Sequence, residues 1–174
     1  MLIKIALVVI ILIAVIVIYA ASKPDHFHVE RSVSIKAPAE KIFALINDLH
    51  LWNDWTPYNK DPNMKKTFSG SALGVGAHYA WEGNKDVGKG EITIRTSTPP
   101  QRIEFDLHMI EPFEGHNLAT FTFTPDGDTT KVTWSLDDKQ KLMVKVMSLF
   151  MDMDKMIGKD FEVGLAQLKV LAEK

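Results

Sequence analysis

Three patterns of apolar and polar positions divide the chain. The first is an unbroken apolar run, IALVVIILIAVIVIYAA from Ile5 to Ala21, without charge, proline or glycine. Crossing a hydrocarbon core of roughly 30 Å takes about 17 to 25 apolar residues, so Met1 to Ala21 is long enough. Tyr19 sits near its end, where an interfacial aromatic is favoured. The second pattern has period two. FHVERSVSIKAP alternates through Phe27, Val29, Ser32 or Val33, and Ile35 and closes at Pro38, which predicts a half-buried strand. AHYAWEG, GEITIRTSTPP, QRIEFDLHMIEP, HNLATFTFTPDGD and TTKVTWSLDD repeat it, and each ends in turn residues. STPPQR and TPDGDTT then read as hairpin connections, the second through Asp-Gly.

The strands divide into two faces. Ile92, Ile94, Ile103, Phe105, Leu107, Met109, Ala119, Phe121, Phe123, Val132, Trp134 and Leu136 make the apolar one. Thr93, Arg95, Arg102, Glu104, Asp106, His108, Thr120, Thr122, Lys131, Thr133 and Ser135 make the polar one. One dry and one wet face suit an antiparallel sheet. The third pattern is helical. PAEKIFALIND places Ile42, Phe43, Leu45 and Ile46 at helical spacing behind an N-terminal proline. Met153, Ile157, Phe161, Leu165, Leu168 and Leu171 form a longer stripe at the C-terminus, with Lys141, Lys145, Lys155, Lys159 and Lys169 mainly off it. A sheet covered by that helix is a two-layer α+β domain, read here over residues 25–174.

The apolar run reads as a single-pass anchor over residues 1–22. Ala20-Ala21-Ser22 has the small residues of a signal-peptidase site, but the run exceeds the roughly 7 to 15 residues of an ordinary signal core. A buried helix is the other alternative, and an all-apolar surface lacks its polar side. Membrane localisation follows. The side of the membrane stays open, because Lys4 argues against Lys23, Arg31 and Lys36. The formal net charge of −2 and the scattered basic residues exclude an electrostatic footprint for nucleic acid.

Chemistry is sparse. The chain has no cysteine, no G-x-S-x-G, no phosphate-binding loop and no H-E-x-x-H. Gly74/Gly76 and Gly88/Gly90 read as turn or bulge glycines. His26 and His28 share a strand face without a third ligand, so neither a metal nor a cofactor is expected. His78 and Glu82 share one face of AHYAWEG, opposite Tyr79 and Trp81. If that face turns inward they are an acid/base pair; if outward, a solvated edge. Met143, Met147, Met151, Met153 and Met156 cluster before the long helix, as a mouth for apolar ligands, a bilayer contact or ordinary packing. In NDLHLWNDWTPYNKDP, Asp48 caps a short helix with Trp52 and Trp55 at i, i+3, stopped by Pro57.

The order strand, two short helices, antiparallel sheet, long helix resembles the helix-grip domains of the SRPBCC superfamily. That group includes START lipid-transfer domains and the polyketide cyclase/dehydrase type. The resemblance rests on APAEKIFALINDLHLWNDWTP, SALGVGAHYAWEGNKDVGKGEITI and MIGKDFEVGLAQLKVLAE, and spans nearly all of residues 25–174. It implies an apolar cavity between a curved sheet and the C-terminal helix. Phe105, Leu107, Met109, Phe121, Phe123 and Trp134 then line it from the sheet, and Phe161 and Leu165 from the helix. Trp52 and Trp55 become its end wall and Tyr58 a rim residue, with Tyr79 and Trp81 as further lining. A core solidly filled by the same side chains is the competing arrangement. The expected function is membrane-anchored binding of a hydrophobic small molecule, a lipid or polyketide-like compound. A cyclase or dehydratase in the same cavity and a partner-binding module at the membrane are the alternatives.

Overall fold

The computed structural model describes residues 1–139 and 142–174; Lys141 and the side chain of Met143 lie outside the described residues. The apolar run forms α1 (Leu2–Ala21), and β1 (His26–Ile35) follows at once. α2 (Ala39–Asn47) starts behind Pro38, whose fixed φ suits a helix N-terminus. A 3-10 helix (Leu49–Asp54) comes next, with the Asp48 carboxylate accepting from the His50 amide at 2.9 Å. Six more strands follow: β2 (Lys65–Gly70), β3 (Ala77–Glu82), β4 (Lys89–Thr98), β5 (Arg102–Glu111), β6 (Gly115–Asp126) and β7 (Thr129–Lys139). The chain ends in α3 (Leu142–Met147) and α4 (Met153–Ala172).

The seven strands make one antiparallel sheet in the order β1-β7-β6-β5-β4-β3-β2. Hairpin connections generate all of it except the β1–β7 pairing, which joins the two ends of the domain. That pairing sets His26 opposite Lys139. The exit from α1 and the entry to α3 therefore lie at the same end of the sheet, and α3 packs on α1. Lys145 of α3, expected on a solvated face, is instead buried. Its ammonium pairs with the Asp25 carboxylate and donates to the Lys23 carbonyl at 2.8 Å. The contact with the α1–β1 link, which helical periodicity cannot show, overrides the amphipathic pattern.

The C-terminal segment breaks into two helices. Asp152 caps α4, its carboxylate accepting from the Lys155 amide at 3.0 Å. Phe161, Leu165 and Leu168 then face the sheet, each no more than 2% exposed. A clamp fixes α4 on β1. Arg31 donates to Asp154 at 2.9 Å and to Glu162 at 3.0 Å, two residues eight apart along the helix. Gly158 lies between them, and a Cβ there would fall 2.1 Å from Arg31 Nη2, so the guanidinium rests on bare backbone. Gly164 does the same nearer the core, where a Cβ would come within 2.9 Å of both Pro57 and Trp134.

One strand goes unannounced by the pattern, and one expectation changes. β2 carries only Phe68 as a large apolar residue in KKTFSG, too little alternation to announce an edge strand. Thr120 and Ser135, placed on the wet face, are buried at 4% and 9% exposure. They face each other across β6 and β7, and longer neighbours, Glu104 and Glu30, flank them on β5 and β1. A small side chain in mid-sheet is shaded by longer ones beside it.

The ion pairs give acid sensitivity a definite sign. The Arg31 guanidinium holds the Asp154 carboxyl below the ordinary aspartate range, Lys145 does the same for Asp25, and Arg102, aided by Thr96, for Glu104. A carboxylate depressed on folding contributes stability above its unfolded pKa and loses it as the pH falls through the folded value. Melting temperature should therefore fall as the pH drops below about 4. Asp154→Asn should flatten that acid limb while lowering stability slightly at pH 7, because exposed pairs contribute little. An unchanged pH profile in the variant would show that the clamp does not form.

Candidate functional site

Between the sheet and α4 lies a cavity of about 660 Å³ with a predominantly apolar lining. That volume is within the usual range for small-molecule sites. Its floor is the sheet face: Ile92 on β4, Leu107 and Met109 on β5, Ala119 on β6, and Trp134 and Leu136 on β7. Its roof is Met153, Ile157 and Phe161 on α4. Trp134 and Phe161 close one side by stacking, with ring centroids 4.0 Å apart and planes at 9°. The space exists because small residues interrupt the sheet face. Ala119 stands among Phe105 and Leu136, and Gly90 stands beside Met109. A Cβ at Gly90 would fall 2.5 Å from the Trp81 ring, so that ring lies flat across the glycine rather than filling the hollow.

Of the residues expected to line the cavity, Trp52, Tyr58, Tyr79, Trp81, Leu107, Met109, Trp134 and Phe161 border it. Trp55, Phe105, Phe121, Phe123 and Leu165 do not; they form the solid core behind it, all at most 4% exposed. The division has a geometric cause. Alternation selects the inward face of a strand but says nothing of position along it, and α2 with the 3-10 helix plugs the end holding Phe105 and Phe121. Trp52 and Trp55 are this plug. Their ring centroids are 5.2 Å apart, and Trp52 lies edge-on to Phe105 at 5.2 Å. Trp52 Nε1 donates to the Ile46 carbonyl at 2.9 Å and Trp55 Nε1 to the Leu45 carbonyl at 3.3 Å, so both indoles serve the C-terminal end of α2.

Polar groups enter the lining from several elements, among them Lys85 and Asp86 of the β3–β4 loop, Glu114 of the β5–β6 turn, Asn117 of β6 and Asp138 of β7. Tyr58, Asn59 and Lys60 approach from the loop after the 3-10 helix, and Lys60 pairs with Asp160 of α4 at 3.1 Å. Tyr58 has 40% of its surface open, yet burial first and Asp160 second push its phenol above the ordinary range. Both hold together because Tyr58 borders the cavity. Burial likewise pushes the Tyr79 phenol up to about 12. Trp134 Nε1 is buried without a hydrogen-bond partner among the described residues. The sequence did not signal Asn59, Lys60 or Asp160, because a loop and a helix flank read alike whether they face water or a pocket.

The acid/base pair is not in the cavity. Tyr79 and Trp81 take the inward side of β3, which puts His78 and Glu82 on the outer face. There the His78 ring is 2.9 Å from Thr93 Oγ1, and Glu82 pairs with Lys89 at 3.5 Å. His26 and His28 border a second, more polar cavity of about 780 Å³. His28 Nδ1 lies 2.7 Å from an Asp137 carboxylate oxygen. Of the methionine cluster, Met147 and Met153 border the apolar cavity, whereas Met151 and Met156 are exposed.

The rim is made of loops and α3. Val87 and Gly88 of the β3–β4 loop, Pro112 and Phe113 of the β5–β6 turn, and Val144 and Met147 of α3 border it. Phe113 is 51% exposed. Because α3 also packs on α1, this rim adjoins the apolar helix. α1 is long and apolar enough to cross a membrane, a property that signal sequences share.

Solved structures share the architecture. A protein from Chromobacterium violaceum aligns with 87% of this chain and 99% of its own at 15% identity and a TM-score of 0.61. The Aha1 dimer from Colwellia psychrerythraea aligns over 84% and 96% at 18% identity, also at 0.61. The di-domain ARO/CYC BexL from the BE-7585A biosynthetic pathway aligns over 90% of this chain and 53% of its own, at 12% identity and 0.65. At such identities the likeness concerns the fold. A search among curated proteins finds no match. The family model described as polyketide cyclase / dehydrase and lipid transport matches residues 26–173, the whole sheet and α4, and the chain belongs to that family.

Proposed function

We propose that the chain is a membrane-tethered binding domain that takes an apolar or amphiphilic small molecule, lipid or polyketide-like, into the cavity between sheet and α4. The observation that carries this reading is the position of the apolar cavity. Its rim includes α3, and α3 packs on the helix that is apolar enough to span a bilayer. Tethering raises the local concentration of anything dissolved in that bilayer. The polar side chains in the lining, Asn59 and Lys60 among them, suit a ligand with an oxygen-bearing end. A partner-binding module with a filled core fits poorly with 660 Å³ of open apolar space. A cyclase or dehydratase built on His78 and Glu82 is removed, because neither side chain borders the cavity.

The test uses the full chain extracted in mild detergent. Native mass spectrometry should find a co-purifying apolar molecule, and N-phenyl-1-naphthylamine should bind saturably with one site per chain. The intact mass should include residues 1–21. Absence of both a co-purified molecule and saturable dye binding overturns the binding reading. A mass lacking the first helix overturns the tether alone.

A further inference from the structure

We propose that His108, Glu114 and His116, which all border the polar cavity, form a binding site for one divalent transition-metal cation of the zinc class beside the β5–β6 turn. His108 alternates with Leu107 and Met109 of the cavity floor, so its side chain leaves β5 on the other side. The β5–β6 register sets His108 opposite His116, and their rings stack with centroids 4.0 Å apart. Glu114 enters from the turn between the strands. One ligand atom from each of the three lies within 4.8 Å of the other two.

The surroundings of His108 carry the argument. Its Nδ1 is 3.1 Å from a Glu91 carboxylate oxygen, an acceptor, so Nδ1 holds the hydrogen and Nε2 presents a lone pair. That Nε2 is buried and has no hydrogen-bond partner among the described residues. A Glu114 carboxylate oxygen stands 4.0 Å from it. Two acceptors thus face each other with no hydrogen bond joining them, and a cation between them satisfies both. A ligating histidine whose second nitrogen donates to a carboxylate is the usual outer arrangement of a metal site. Glu91 also lies 3.9 Å from His78 Nε2, which holds this carboxylate between two rings.

The donor set selects the metal. Two imidazoles and one carboxylate suit zinc and its first-row neighbours, whereas calcium and magnesium prefer all-oxygen shells. Nitrogen and oxygen ligands of a tetrahedral zinc ion sit about 3.4 Å apart, so a spacing of up to 4.8 Å closes by at most about 1.4 Å on each edge on binding. Glu114 and His116 are exposed and His108 is held by Glu91, so binding turns the His116 ring out of its stack on His108 to aim both lone pairs at the ion. Three protein ligands leave a fourth position for water. Because the ligands flank the β5–β6 turn, the ion also pins the hairpin whose Pro112 and Phe113 border the apolar cavity.

The full chain in detergent micelles, stripped by a chelator, is titrated with zinc chloride by calorimetry and with cobalt(II) followed by its visible spectrum. One equivalent should bind with a four-coordinate cobalt signature. His116→Ala and Glu114→Gln should each weaken zinc at least tenfold, and Glu91→Gln roughly ten- to a hundredfold through the orientation of His108. His28→Ala, which removes a histidine of the polar cavity outside the set, should change nothing. Glu114→Gln is nearly isosteric and lies in an exposed turn, so the test survives if a histidine variant does not fold. Absence of stoichiometric binding overturns the site, as does binding unaffected by Glu114→Gln and His116→Ala, or lost equally with His28→Ala.

Discussion

Trp55→Ala is expected to lower the unfolding free energy by about 3 to 5 kcal/mol, the range for deleting a large aromatic from a core that does not collapse. Trp55 is fully buried, and its ring meets Trp52, Phe121 and Trp134 with centroids 5.2 to 5.9 Å away. Deletion removes those edge contacts and leaves a void where the 3-10 helix plugs the sheet. It also takes the Nε1 donor from the Leu45 carbonyl, so part of the cost is an unsatisfied acceptor. Trp55→Phe helps to separate the two contributions, since it keeps a six-membered ring in the plug while losing the donor and the rest of the indole. Urea unfolding of the full chain in micelles, followed by circular dichroism, measures both. A loss under about 1 kcal/mol for the alanine variant would mean that the plug is not part of the folded core.

Met109→Trp is expected to weaken N-phenyl-1-naphthylamine binding at least tenfold while leaving the fold intact. Met109 borders the cavity on β5, and its cross-strand neighbours are Gly90, over which the Trp81 ring lies, and Gly115. An indole at this point has the cavity on one side and the Trp81 ring on another, so the overpacking cost of a filled core applies only in part. Inside the cavity the same ring removes volume that a ligand needs, and a mismatch of even one methylene in an apolar pocket is worth about 1 to 3 kcal/mol. Met109→Ala is the opposite control and should retain binding. Equal affinity for the tryptophan variant and the parent would place the dye elsewhere and remove the cavity from the function.

Much of this was legible in the residues alone because it depends on periodicity. Period-two alternation assigned Ile92, Ile103, Phe105, Phe121 and Trp134 to one face, and all five are buried. The i, i+3 spacing of Trp52 and Trp55 brought their rings together, which a 3-10 helix does even more directly than an α-helix. The edge strand β2 was hidden because an edge needs little apolar surface, and one Phe in six residues leaves no period to detect. Lys145 was misplaced for a related reason. A lysine on a helix reads as solvated until another element, here the link holding Asp25, is packed against it.

The sequence by itself determined the apolar first helix, the α+β class, the two faces of the sheet and the family resemblance, since each follows from local composition and spacing. Tertiary structure alone decided the rest. It separated cavity wall from solid core along a single strand face, because that depends on where the end plug sits. It turned His78 and Glu82 outward by placing Tyr79 and Trp81 over the cavity. It also brought His108 and His116 side by side with Glu114, since strand register, which no run of residues states, sets what stands opposite what.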